Sequence, residues 1–172
     1  MPNLKLPPQD IDAETSVLGA LLIDKNAVIN VADFLVPEDF YKPANQKIYE
    51  AAISLFEAGQ PIDMLSVSAK LKERNQLEEA GGANYLSEVI NSVPTASHAE
   101  HYAKIVKDKR VLRDLIKASA EINEQAFGEG DTDKLLDQVE QKIFSISQRS
   151  LVQKFILIKE DLQTAYERIE RL

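Results

Sequence analysis

Residues 16–24, SVLGALLID, decide what kind of fold this chain can adopt. Seven of the nine are apolar or glycine, and they follow a helix-start signal in which Asp10 is an N-cap candidate with Asp12 and Glu14 in the first turn. On a helical projection Ile11, Val17, Leu18, Leu21 and Leu22 share one broad face, while Gly19 and Ile23 fall on the other side. A helix that is apolar nearly all round is a buried helix. Glycine inside a helix costs about 1 kcal/mol relative to alanine, so its presence at position 19 needs a return. Close approach of a second helix supplies one. The stretch is therefore expected to be the central helix of an α-helical globule.

The flanking sequence repeats the helical pattern. PEDF (37–40) reads as a short turn with Pro37 at a first helical position. PANQKIYEAAISLFEAG (43–59) repeats Ile48, Ala52, Leu55 and Phe56 on one face and ends with Gly59 at C′. Asp63 can cap MLSVSAKLKER, and NYLSEVINSV forms a short helix before Pro94. No stretch alternates cleanly with period two, and GQPIDMLSVS is too broken for a strand. The expected class is all-α: a compact multi-helix globular domain, a long αα-hairpin and a C-terminal amphipathic helix.

Residues 97–127 contain neither Gly nor Pro, and as one helix they would span ~46 Å. FGEGD (127–131) stops that helix, and Asp131 or Thr132 starts another to about Gln148, which makes an αα-hairpin. Ala99, Tyr102 and Val106 share a face; Val111, Leu112, Leu115, Ile122 and Ala126 share another, roughly half a turn away. The change falls at KDKR (107–110), so the helix either serves two partners or breaks there. That places a boundary between a globule, residues 1–106, and a hairpin, residues 107–148. In the second hairpin helix Leu136, Val139, Ile143 and Ile146 follow 3-4-3 spacing, while Leu135 and Phe144 widen the stripe. Two helices alone cannot cover that width, so two copies should pair as a four-helix bundle. The expected dimer interface is Leu112, Leu115, Ile122, Leu135, Leu136, Val139, Ile143 and Phe144.

Residues 149–157 read as a linker, followed by a stripe of Ile158, Leu162, Ala165, Tyr166, Ile169 and Leu172 on an amphipathic helix, residues 158–172. Such a helix is expected to dock into a groove through Ile158, Leu162, Tyr166 and Ile169. The abrupt end at Leu172 suggests a further domain beyond it.

Composition excludes several function classes. The absence of cysteine rules out disulfides, thiolate zinc sites and a cysteine nucleophile. No apolar run reaches the ~20 residues needed to span a bilayer, and MPNLKLPPQD has no signal-peptide apolar region, so the expected location is cytoplasmic, away from membranes. The net charge is −8, and residues 1–94 hold 7 Lys/Arg against 14 Asp/Glu. A chain that is acidic over its first half is a poor ligand for a phosphate backbone. There is no G-x-x-x-x-G-K-[ST], no G-x-G-x-x-G and no G-x-S-x-G. His98 and His101 lack a third metal ligand nearby, and EGDTD (129–133) lacks the glycine and terminal glutamate of a calcium loop. Tyr41, Tyr49 and Tyr85 read as core or rim residues. Lys107, Arg110, Arg113 and Lys117 form a basic stripe opposite the hairpin's apolar face. It is either a solvated face or a surface for a partner, with Arg110, Arg113 and Lys117 the candidates; an alternative is a nucleic-acid-binding helical module using the same stripe.

LPPQDIDAETSVLGALLID, VPEDFYKPANQKIYEAAISLFEAGQPIDMLSVSAKL and LEEAGGANYLSEVINSVPTASHAEHYAKIVKDKRVLRDLI, in that order and spacing, resemble the amino-terminal region of bacterial replicative DNA helicases of the DnaB type. The resemblance implies a non-catalytic collar: hairpins pair, three pairs sit over a hexameric ring of motors, and the helix at 158–172 docks on a neighbouring subunit. It also implies docking of primase on the hairpin region and contact with a helicase loader. ATP, Mg and DNA would be handled by a motor domain that this chain lacks, so the chain itself should be inactive, with no cofactor of its own.

Overall fold

The computed structural model describes residues 6–93, 96–128 and 130–149. Those residues contain helices and turns and no strand, as an all-α chain requires. Contacts divide the chain between Arg110 and Val111. Of the expected linker, residues 149–157, only Arg149 is described, and it is helical; the rest of it and the terminal helix, with Ile158, Leu162, Tyr166 and Ile169, lie outside the described residues.

The first unit is built around α1, Ile11–Ile23. Asp10 is its N-cap, accepting the Ala13 amide at 2.9 Å. Val17, Leu18 and Leu21 are fully buried, whereas Ile23 points outward and is half exposed. The glycine has the partner its sequence position demands. A Cβ at Gly19 would overlap Val93 Cγ2 and come within 2.5 Å of the Val89 carbonyl oxygen, so α5 (Gly82–Asn91) and the residues just after it lie directly on α1. Only glycine permits that separation.

Around α1 stand α3 (Pro43–Glu57), α5 and the short α2 (Ala27–Ala32), with α4 (Met64–Glu73) on α3 and α5. The segment 37–39 is a single 3₁₀ turn. α3 ends in a Schellman motif: Gln60 N–H donates to Leu55 O at 2.9 Å, Gly59 N–H to Phe56 O at 2.9 Å, and Gly59 takes φ +64°. Asp63 caps α4 through the Ser66 amide at 2.8 Å, which also holds the Asp63 carboxyl below its ordinary range. α2 had no counterpart in the sequence expectations. It is six residues long and no side chain caps it, yet Val28, Val31 and Leu35 at i, i+3, i+7 are buried and carry a helical signal.

Glu14 departs further from expectation. Sequence position makes it a first-turn dipole partner, but it is 1% exposed. Its carboxylate accepts the Tyr41 amide at 2.6 Å, the Lys42 amide at 3.3 Å and Asn45 Nδ2 at 2.8 Å. Lys42, the residue before α3, has no side-chain cap of its own, so Glu14 caps α3 from another helix. Asn45 passes the connection on, its Oδ1 accepting from Tyr85 Oη at 2.8 Å, while Lys42 Nζ stands 3.8 Å from the Tyr85 ring centre. Tyr49 is a core residue, as expected. Its hydroxyl donates to Leu35 O at 3.0 Å, and burial, with Asp39 and Asp33 nearby, pushes the phenol far above its ordinary range.

α6 runs unbroken from Ala99 to Ala126, preceded by a 3₁₀ turn at Ala96–His98. Of the two arrangements open to the sequence, one helix with two environments is the one adopted. Its buried positions before the boundary are Ala99, Ala103, Val106 and Lys107. Lys107 thus leaves the basic stripe that the sequence assigns to it: its ammonium pairs with buried Asp39 at 2.9 Å.

Candidate interaction surface of the helical hairpin

The second unit comprises the rest of α6, the turn after it and α7, residues 132–149. Gly128 and Gly130 flank the turn. Asp131 starts α7: its carbonyl accepts the Leu135 amide at 3.0 Å and its carboxylate the Asp133 amide at 3.0 Å. Two ion pairs set the register of the antiparallel helices. Lys142 meets Glu121 at 2.7 Å and Arg149 meets Asp114 at 3.3 Å, so seven residues back along α6 match seven forward along α7. The Lys142 hydrogen bond and charge hold the Glu121 carboxyl below its ordinary 4.5.

That register defines an inner seam. Ala118 and Ile146 are buried, and Val111, Ile122, Leu135 and Val139 are half-buried. At 100° per residue, Leu115, Leu112 and Ile116 turn progressively away from Ala118 in one sense, and Ile143, Leu136 and Phe144 turn away from Ile146 in the same sense. Because the helices are antiparallel, equal senses of rotation place both sets on the same flank of the hairpin. Every one of these six is exposed, among them Ile116 at 57%, Leu136 at 56% and Phe144 at 63%. Arg113 and Lys117 project on the opposite flank.

Of the eight expected interface residues, Leu112, Leu115, Leu136, Ile143 and Phe144 form the outward flank, whereas Ile122, Leu135 and Val139 belong to the hairpin's own seam. Ile116 was missed, although its place one turn after Leu112 is the signal that finds it. Phe127 is 87% exposed at the turn. The basic stripe divides too. Lys107 is tied to Asp39, and Arg110 donates to the Glu38 carbonyl; Arg113 is half-buried and Lys117 is exposed.

Other chemistry is sparse. Among the described residues no three His, Cys, Asp or Glu side chains converge as metal ligands, and both histidines are exposed. A cleft of about 400 Å³ at the hairpin turn is lined by Gln125, Asp131, Thr132, Lys134 and Gln138 among others, with the Lys134 ammonium 4.0 Å from the exposed Asp131 carboxylate. No helix of the described residues is long and apolar enough to cross a membrane.

An all-α module that leaves one flank of its hairpin greasy and open has the features of an assembly element. The chain belongs to the DnaB-like helicase N-terminal domain family, whose pattern matches residues 6–108. It is 43% identical over 169 residues to the replicative DNA helicase DnaB of Geobacillus stearothermophilus, covering 98% of this chain and 37% of that protein. It is 40% identical over 171 residues to the replicative DNA helicase DnaC of Bacillus subtilis, covering 99% of this chain and 38% of that protein. The chain therefore spans well under half the length of these relatives. Its fold is similar to the crystal structure of the N-terminal domain of DnaB helicase from Mycobacterium tuberculosis, with a TM-score of 0.78 at 40% identity over 82% of this chain and 99% of that one. A DnaB-like replicative helicase, whose structure was described together with its interactions with primase, gives a TM-score of 0.68 at 26% identity, covering 95% of this chain and 35% of that one.

Proposed function

We propose that this chain is the non-catalytic oligomerisation and primase-docking collar of a ring-shaped hexameric replicative DNA helicase. The observation that carries the assembly role is the apolar flank of Leu112, Leu115, Ile116, Leu136, Ile143 and Phe144, which intramolecular packing leaves open to water. Water-exposed apolar surface of that extent favours burial against another surface. A second hairpin is the economical cover, because a self-complementary flank closes as a two-fold pair and gives four helices around one core. Docking of primase draws support from relatives whose structures were described with primase interactions. We assign residues 1–110 to the globule and 111–149 to the hairpin, in place of the expected 1–106 and 107–148, because Lys107 is committed to Asp39 and Arg149 to Asp114; the expected helix 158–172 would dock on a neighbouring subunit. A helicase loader is a further expected partner, and the cytoplasm the expected compartment.

Unwinding of duplex DNA with ATP and Mg would belong to the motor portion of the parent protein. These 172 residues contain no phosphate-binding P-loop, so they offer the nucleotide no cradle and are expected to be inactive alone. The alternative of nucleic-acid binding through the basic stripe is disfavoured, because Lys107 and Arg110 are committed to Asp39 and Glu38.

Light scattering across a concentration series tests the assembly role. The parent chain should show dimers or larger species, and the double substitution Leu136→Asp/Phe144→Asp should leave monomers that are still helical. An undiminished oligomer in the double variant would reject the flank as the interface. Binding to the cognate primase, measured on the same proteins, tests the docking role.

A further inference from the structure

The first turns of α6 are held against the globule by small buried side chains, flanked by Tyr102 and Ile105, which pack half-buried against the same core. Ala99, Ala103 and Val106 are its buried apolar residues there. Alanine and valine bury area without projecting far, so the fully buried part of this contact attracts the helix but tells its rotational positions apart weakly. Side chains that interlock specify a register better than flat ones do.

Two polar contacts lie one turn further on, both directed at the 3₁₀ turn Pro37–Asp39. Lys107, only 10% exposed in its side chain, places its ammonium 2.9 Å from Asp39 Oδ2, itself 3% exposed. The same Asp39 oxygen accepts the Val36 amide at 2.9 Å, which fixes the carboxylate to its own turn. Arg110, three residues along, donates to the carbonyl of neighbouring Glu38. The Lys107 ammonium also stands 5.9 Å from the Phe34 ring centre. A buried ion pair is a poor source of net stability, since desolvating both charges offsets most of their attraction. Its strength is discrimination: a neighbouring register would leave a carboxylate and an ammonium buried apart.

We propose that the Asp39–Lys107 ion pair, backed by Arg110 on the Glu38 carbonyl, is a register lock that selects one rotational position of α6 against the first unit. Apolar contacts attach the helix, and the ion pair adds the charge penalty that separates one rotational position from its neighbours. A slip of one residue would rotate α6 by about 100° and move its Cα atoms by roughly 4 Å.

The lock separates register from stability, so the test measures both. The chain has no cysteine, so spin labels can be placed uniquely at Asn30→Cys and Lys104→Cys, two exposed positions of the first unit. Pulsed electron spin distance measurements use the full chain diluted with unlabelled protein, so that separations between copies do not contribute. The parent should give a single narrow distance distribution. Asp39→Asn/Lys107→Met, in which the amide oxygen can still accept the Val36 amide, should broaden or displace that distribution while the melting temperature stays level or rises. Lys107→Arg should keep it narrow. A distribution that stays narrow and unshifted in the double variant would overturn the lock, whatever the melting temperature does. Should the double variant fail to fold, Lys107→Gln in the same labelled background reads the same distance, with the same two outcomes.

Discussion

Replacing Glu14 with alanine should be among the most damaging single changes in the first unit, because this buried carboxylate closes the start of α3. Its removal strips acceptors from three donors at once. Asn45 is fully buried, so its amide, at 2.8 Å from the carboxylate, bears the full desolvation cost, about 1.5–3 kcal/mol. The Tyr41 amide at 2.6 Å, just before the helix, adds about 1 kcal/mol for the lost hydrogen bond. The Lys42 amide, at 3.3 Å and half exposed, adds about 0.5 kcal/mol, since water can replace the lost partner. Glu14→Ala should therefore lose about 3–4.5 kcal/mol, a large part of a typical 5–15 kcal/mol domain stability. Glu14→Gln keeps the volume and one acceptor oxygen, and should lose roughly half as much. Urea unfolding followed by circular dichroism measures both as a shift of midpoint at constant slope. Because Tyr85 holds the other side of Asn45, Glu14→Ala and Tyr85→Phe should be coupled by at least about 0.5 kcal/mol in a double-mutant cycle. A Glu14→Ala cost below about 1 kcal/mol would refute capping across helices as the role of this residue.

Gly19→Ala should destabilise by about 1–2 kcal/mol, as crowding against the Val89 carbonyl and Val93 exceeds the gain of about 1 kcal/mol in helix propensity; a higher melting temperature in the variant would contradict the close approach. Asp63→Ala should cost about 1 kcal/mol through the lost cap on Ser66, read as a reduced urea midpoint, whereas Asp63→Asn should cost much less. Glu121 should titrate below 4.5 in a carbon NMR titration and return toward that value in Lys142→Met. Its lowered pKa means that the pair supports the hairpin above about pH 4.5, and that this support fades as pH falls through the lowered value; an unchanged midpoint in Lys142→Met would exclude the ion pair as the cause.

Local features of the sequence carry most of the helical layout. Asp10, Gly59, Asp63 and Asp131 act where local chemistry places them, because a cap or a left-handed turn is decided within four residues. Gly19 announces a close neighbour for a similarly simple reason: a helix accepts the entropy cost of glycine only where something fills the missing methyl's place. The apolar width of residues 111–146 is likewise a count of side chains, visible without coordinates.

Partnership across the chain is what sequence periodicity does not contain. Glu14 looks like an ordinary first-turn acid until α3 is brought to it from 27 residues away. Lys107 belongs to a basic stripe on paper, yet a turn 68 residues distant removes it from solvent. The division of the hairpin's apolar residues into an inner seam and an outer flank also required the register set by the Glu121–Lys142 and Asp114–Arg149 pairs. Periodicity reports which way a side chain points from its own helix. What stands there to receive it depends on the packing of distant segments, and only the tertiary structure decides that.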